Sequence, residues 1–167
     1  GKVSRDLEEH SKKCTHNRGA SAKTKNMPTL PERVFTLFAT YHLRGNKVLG
    51  DIDLVYAPDM RFVDPFNDVH GREQFKRVTE HLNARVKEMR FDDLELVGEE
   101  PHFMLSWNCT ITPRFGPTIV ARGVTEFRSQ DGLVTFHQDH WDALSAFANS
   151  IPGVGRIYAL ITSKFLG

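Results

Sequence analysis

The chain has 167 residues, 40% of them hydrophobic, and a net charge of +1. That length suits one domain with one sizeable core, and no apolar run reaches the ~18 residues of a membrane span, so integral membrane association is not expected. The two cysteines do not make a disulfide framework, since Cys14 sits in a polar stretch and Cys109 in an apolar strand pattern; a reducing compartment follows, and with no secretory pattern near the start the expected location is cytoplasmic.

The charge is uneven. Residues 1–30 carry seven Lys/Arg against three acids, and the remainder carries fifteen against eighteen. Residues 1–28 therefore read as a flexible basic tail on a slightly acidic body, free to meet acidic surfaces. The tail has no aromatic residue to stack on bases, so nucleic acid is not an expected partner.

The domain is expected over 29–167. Thr29, Pro31 and Glu32 form a helix-start signature. Val34, Phe38 and Tyr41 follow at spacings of four and three, and Gly45-Asn46 ends that helix. A second short helix carries Val48, Ile52, Val55 and Tyr56 on one side and stops at Pro58. Residues 60–64 are extended. After Gly71, the spacing of Phe75, Val78, Leu82, Val86 and Met89 predicts a third helix. The period then falls to two. Strands are expected over 91–97, 103–111, 118–127 and 133–141, with Asp131-Gly132 as a hairpin turn. A last helix, 143–167, is interrupted at Pro152 and Gly153. Helices followed by an antiparallel meander indicate an α+β fold with segregated layers.

Two segments carry a resemblance. The first is YAPDMRFVDPF (residues 56–66), followed by Gly71-Arg72-Glu73 and a helix; the second is DGLVTFHQDHWD (131–142). In this order and spacing the chain, from Pro31 to Gly167, resembles the nuclear transport factor 2-like superfamily and its SnoaL-like branch. With SIPGVGRI (150–157) it closely resembles a bacterial subgroup of that branch. The resemblance implies a cone-shaped fold. About three N-terminal helices would pack on a curved, mixed or antiparallel sheet, with a C-terminal helix added. It also implies pairing into a homodimer and a pocket for a small apolar metabolite. The superfamily holds ketosteroid isomerase, limonene epoxide hydrolase, polyketide cyclases and non-enzymatic proteins, so fold alone leaves the activity open.

Three residues are candidates for chemistry. Asp64 matches the general base of the isomerase; with apolar neighbours it would be a competent base, and before a proline it is equally a turn former. Alternation puts Leu133, Thr135, His137, Asp139 and Trp141 on one face of the last strand. Asp139 matches a catalytic acid of the epoxide hydrolase; it either shares acid and base roles with Asp64 or is buried for structure. His137 is a proton shuttle or a satisfied core histidine. Tyr41 roughly matches the isomerase oxyanion-hole tyrosine and also fits an ordinary core position. Tyr56, Phe66, Trp107, Thr125, Phe127 and Trp141 are expected pocket or core residues. Thr125 stands where the isomerase has its protonated aspartate, and Ser106–Cys109 lacks the Arg-x-Asp pair of the epoxide hydrolase, whose next arginine is Gln138 here. Neither catalytic set is complete. No metal set has suitable spacing and no cofactor is expected. Ile157, Leu160, Ile161 and Phe165 form an apolar C-terminal stripe, expected to cap the pocket or make a subunit contact.

Overall fold

Thr29 caps the first described helix as its side chain predicts. Its hydroxyl accepts from the Glu32 amide, and the Glu32 carboxylate accepts from the Thr29 amide at 2.8 Å, a complete capping box. A computed structural model describes residues 27–166; the expected tail, 1–28, lies almost wholly outside them, as does Cys14. Helix α1 (Leu30–Ala39) buries Leu30, Val34, Leu37 and Phe38. After α2 (Tyr41–Arg44) and a 3-10 turn, α3 (Val48–Val55) buries Val48, Ile52 and Val55.

Strand β1 (Tyr56–Val63) follows at once, then β2 (Asp68–His70) and α4 (Arg72–Arg85). Strands β3 (Val86–Glu99), β4 (His102–Pro113), β5 (Ile119–Gln130) and β6 (Leu133–Trp141) form the meander. Among the described residues the sheet has six strands in the order β2-β1-β6-β5-β4-β3. It is mixed, because β1 lies parallel to β6 while every other pair is antiparallel. Helix α1 packs on β3 and α4 on β1. The chain closes with α5 (Ala143–Ser150) against β5, then α6 (Val154–Leu166) against α5. The architecture is the expected cone of helices on a curved α+β sheet.

Three local expectations are corrected. Tyr56 opens β1 instead of ending the second helix: it pairs with Val134, and Pro58 disfavours a helical Ala57 before it. Val86 and Met89 belong to β3, not to the third helix. A register shift between Val86 and Glu88 adds one residue, so side chains three apart share a face and imitate helical spacing. A second shift follows at Asp93 (φ 51°) and brings Phe91, Leu94 and Leu96 to the same side. On β6 the alternation fails before His137. The register shifts between Arg128 and Ser129, so Val134, and not Leu133 or Thr135, is the fully buried residue. These irregularities bend the strands, which is how the sheet wraps a cavity. Asp131 (φ 52°) and Gly132 (φ 73°) make the predicted hairpin, a turn that needs positive φ at both positions. The C-terminal stretch is two helices, broken around Pro152 and Gly153.

A candidate active site in the cone

β6 delivers His137, Asp139 and Trp141 to the concave face; β5 sets Thr125 opposite Asp139, and β4 sets Leu105 opposite Thr125. Trp107 lies flat over Gly123, where an added Cβ would sit 2.6 Å from indole Cζ2 and Cη2. The glycine leaves room for the ring, and Trp107 Nε1 donates to Thr125 Oγ1 at 2.8 Å. An indole N–H only donates. The Thr125 hydroxyl therefore accepts it and gives its own proton to Asp139 Oδ1, 2.6 Å away.

A second row of bonds ends on the same oxygen. His137 Nε2 lies 3.0 Å from Asp139 Oδ1, and His137 Nδ1 lies 2.9 Å from the Tyr56 hydroxyl. Tyr56 is 1% exposed. Burial first, then the charge of Asp139, then Tyr41, raises its pKa well above the ordinary phenol value. A phenol held protonated donates to Nδ1, which puts the imidazole hydrogen on Nε2 and directs it to Asp139. The imidazole is wedged edge-on between Phe62 and Phe127, with ring centroids 4.9 Å away in each case. Oδ1 is thus held from two sides by donors. Oδ2 has no protein partner among the described residues, and Asp139, 20% exposed, lines the cavity.

The cavity measures about 520 Å³, within the range of small-molecule sites. Its walls are mostly apolar, from Phe38, Ile52, Phe75, Phe91, Trp107 and Ile111. Tyr41 lines it and donates to Asn83 Oδ1 at 3.0 Å, and burial raises its phenol pKa. Burial also pushes the lining thiol of Cys109, unpaired, up to about 12, so it is no nucleophile. Among the described residues no three His, Cys, Asp or Glu side chains gather closely enough to hold a metal ion, and no helix is long and apolar enough to cross a membrane.

Asp64 also lines the cavity, but its carboxylate is engaged. Oδ1 accepts from the Phe66 and Asn67 amides, both at 2.7 Å, and Asn67 Nδ2 reaches both oxygens at 3.0 Å. The Asp64 amide donates to Asn67 O and closes the turn. This is the turn-forming geometry of an aspartate before proline. The turn presents Phe66, which meets Trp141 and Phe147 edge to face at 5.8 and 6.1 Å. Thr125 and Phe127, both expected to line the pocket, lie behind its wall and are fully buried: Thr125 is enclosed between Trp107 and Asp139, and Phe127 between Phe103 and His137. Sequence reasoning missed Phe147 on α5 and the polar role of Tyr56. Phe147 belongs to a helix whose broken apolar pattern hides its direction, and Tyr56 lies 81 residues from its partner His137.

A model of the SnoaL-like domain matches residues 32–137. No curated protein matches the sequence. Solved structures do match in fold. An NTF2-like protein of unknown function from Burkholderia pseudomallei K96243 is 18% identical, with a TM-score of 0.63 over 76% of this chain and 100% of that one. A protein with a ketosteroid isomerase-like fold from Catenulispora acidiphila DSM 44928, solved with trimethylamine, is 20% identical, with a TM-score of 0.61 over 74% and 93%. A candidate SnoaL-like polyketide cyclase from Jannaschia sp. CCS1 is 19% identical, with a TM-score of 0.63 over 72% and 90%. The domain match covers most of the chain, and the solved structures share its fold: the chain belongs to the SnoaL-like branch of the NTF2-like superfamily.

Proposed function

We propose that this protein binds an apolar, oxygen-bearing metabolite in its cone and moves a proton on it without a cofactor, in an isomerisation, cyclisation or hydration. The observation that carries this reading is Asp139. One oxygen is held by Thr125 and His137, the other has no protein partner among the described residues, and the residue lines a mostly apolar cavity. A carboxylate so positioned can accept a proton from a bound carbon or oxygen acid and return it. His137 and Tyr56 orient it and stabilise the charge it carries. Asp64, expected from the resemblance to be the base, serves in this reading as the rim turn that presents Phe66, because both its oxygens accept from the turn, Oδ1 from the Phe66 and Asn67 amides and Oδ2 from Asn67 Nδ2. The structural relatives assigned as polyketide cyclases agree with such a substrate class.

The test uses 5-nitrobenzisoxazole, an apolar carbon acid. A base takes its C3 proton, the N–O bond breaks, and a coloured cyanophenolate leaves. Wild type should accelerate this reaction. Asp139→Asn should reduce kcat/KM by about 100-fold or more, the usual share of a general base, while Asp64→Asn should change it little. Equal activity in wild type and Asp139→Asn sinks the assignment.

The alternative is a ligand-binding or interaction module without catalysis. The exposed apolar residues of α6, with Ile157, Leu160 and Ile161 each more than half exposed, favour it. They also support a homodimer, which light scattering at micromolar concentration tests: a monomer refutes it.

A further inference from the structure

The cavity walls bear one side chain that neither the proton-transfer reading nor the packing uses. Arg85 ends α4 and lines the cavity, together with His81 one turn earlier. It is the only Lys or Arg among the lining residues. Its Nη1 donates to the His81 carbonyl at 3.0 Å, and among the described residues no carboxylate forms an ion pair with it. A guanidinium has five N–H donors, so most of them have no protein acceptor among the described residues, and the side chain is exposed. The two acids on the same walls do not compensate it: neither forms an ion pair with it, Asp64 is held in its turn, and Asp139 is bound on one oxygen by Thr125 and His137.

The sheet register separates this cation from Asp139. Val86, next to Arg85, pairs with Pro113 of β4, whereas Asp139 pairs with Thr125 and so stands level with Leu105. The eight residues between those levels span a contour of about 26 Å along the strand, shortened through space by the sheet's curvature. The cavity-lining side chains between them on β4 and β5 are Trp107, Cys109, Ile111, Ala121 and Ile119, an apolar run. One end of the cavity is therefore an acceptor carboxylate, the other an uncommitted cation, and the middle is oily.

We infer that the ligand is an elongated amphipathic acid, with its carboxylate at Arg85, an aliphatic or fused-ring body along the apolar run, and its reacting oxygen-bearing end at Asp139. This rests on the pocket reading above and adds the class of molecule it selects. Arg85 sets specificity here; it takes no part in the proton transfer. The helix-end position alone suits a cation, and that role predicts an effect on stability and none on ligand choice.

The probes are cis-parinaric acid and its methyl ester, which share a chain and differ in the charge. Both tryptophans of the protein, Trp107 and Trp141, line the cavity, so energy transfer from tryptophan to probe reports occupancy. Wild type should bind the acid about tenfold more tightly than the ester, the worth of a charge-assisted hydrogen bond. Arg85→Gln should erase that preference, leave the ester's affinity unchanged and keep the wild-type circular dichroism, and added salt should narrow the preference in wild type, because the cation is exposed. Equal affinities in wild type, or a preference that survives Arg85→Gln, overturns the inference and leaves the pocket reading standing. Failure of both probes to draw energy from tryptophan overturns the two together.

Discussion

Tyr56→Phe tests the direction of the hydrogen-bond row. The substitution removes one oxygen from a side chain that is 1% exposed. It keeps the ring, which packs on Phe75 at 5.1 Å and stacks on His137 at 5.8 Å, so no cavity larger than the hydroxyl opens. What is lost is the 2.9 Å bond to His137 Nδ1, inside a residue only 3% exposed. Leaving a buried acceptor unpaired costs about 1–3 kcal/mol. With the ring packing intact, about 1.5 kcal/mol is expected, which lowers Tm by roughly 3–6 °C for a domain of this size. Urea denaturation followed by tryptophan fluorescence reads it as a lower midpoint with an unchanged slope. Nitrogen-15 NMR of His137 reads the cause: in wild type Nε2 carries the hydrogen and Nδ1 accepts. An unshifted midpoint, or a wild-type imidazole with its hydrogen on Nδ1 alone, refutes the argument that Tyr56 and His137 together hold Asp139 Oδ1.

Two further substitutions probe the frame around that row. Gly123→Ala would drive a Cβ to 2.6 Å from the Trp107 ring and 2.8 Å from the His140 carbonyl oxygen; a loss of about 1–3 kcal/mol is expected for such overpacking, with altered near-ultraviolet circular dichroism as the indole leaves Thr125, and an unchanged spectrum counts against the placement of Trp107. Asp142 caps α5 by accepting from the Ser145 amide and hydroxyl, and these bonds hold its carboxyl below the ordinary aspartate range. A depressed folded-state pKa stabilises the fold above the unfolded value near 3.8 and loses that stabilisation as pH falls through the folded one. Asp142→Ala should therefore melt below wild type at pH 7, with the gap closing under acid conditions below pH 3.8. A gap that does not narrow as the pH falls below that value refutes the cap as its origin.

Much of the site was legible because it lies on regular strand. Alternation alone brings His137, Asp139 and Trp141 to one face, and the structure keeps them there. The capping box at Thr29 and the turn at Asp131-Gly132 are local, decided by side chains within a few residues of each other. The order of helices and meander, with the two quoted segments, determined the fold. Bulges lay beyond the sequence. One extra residue at Lys87, Asp93 or Thr135 flips the parity of a strand, and only pairing with a neighbouring strand reveals where that residue is accommodated. Asp64 shows the same division: its chain position fits a base, but its oxygens are claimed by Phe66 and Asn67 once the turn closes. Tyr56, Trp107, Thr125 and His137 meet around Asp139 across β1, β4, β5 and β6. Sequence determined which donors and acceptors the chain owns; tertiary structure decided which of them face each other, because hydrogen bonds act over 3 Å and the partners stand up to 81 residues apart.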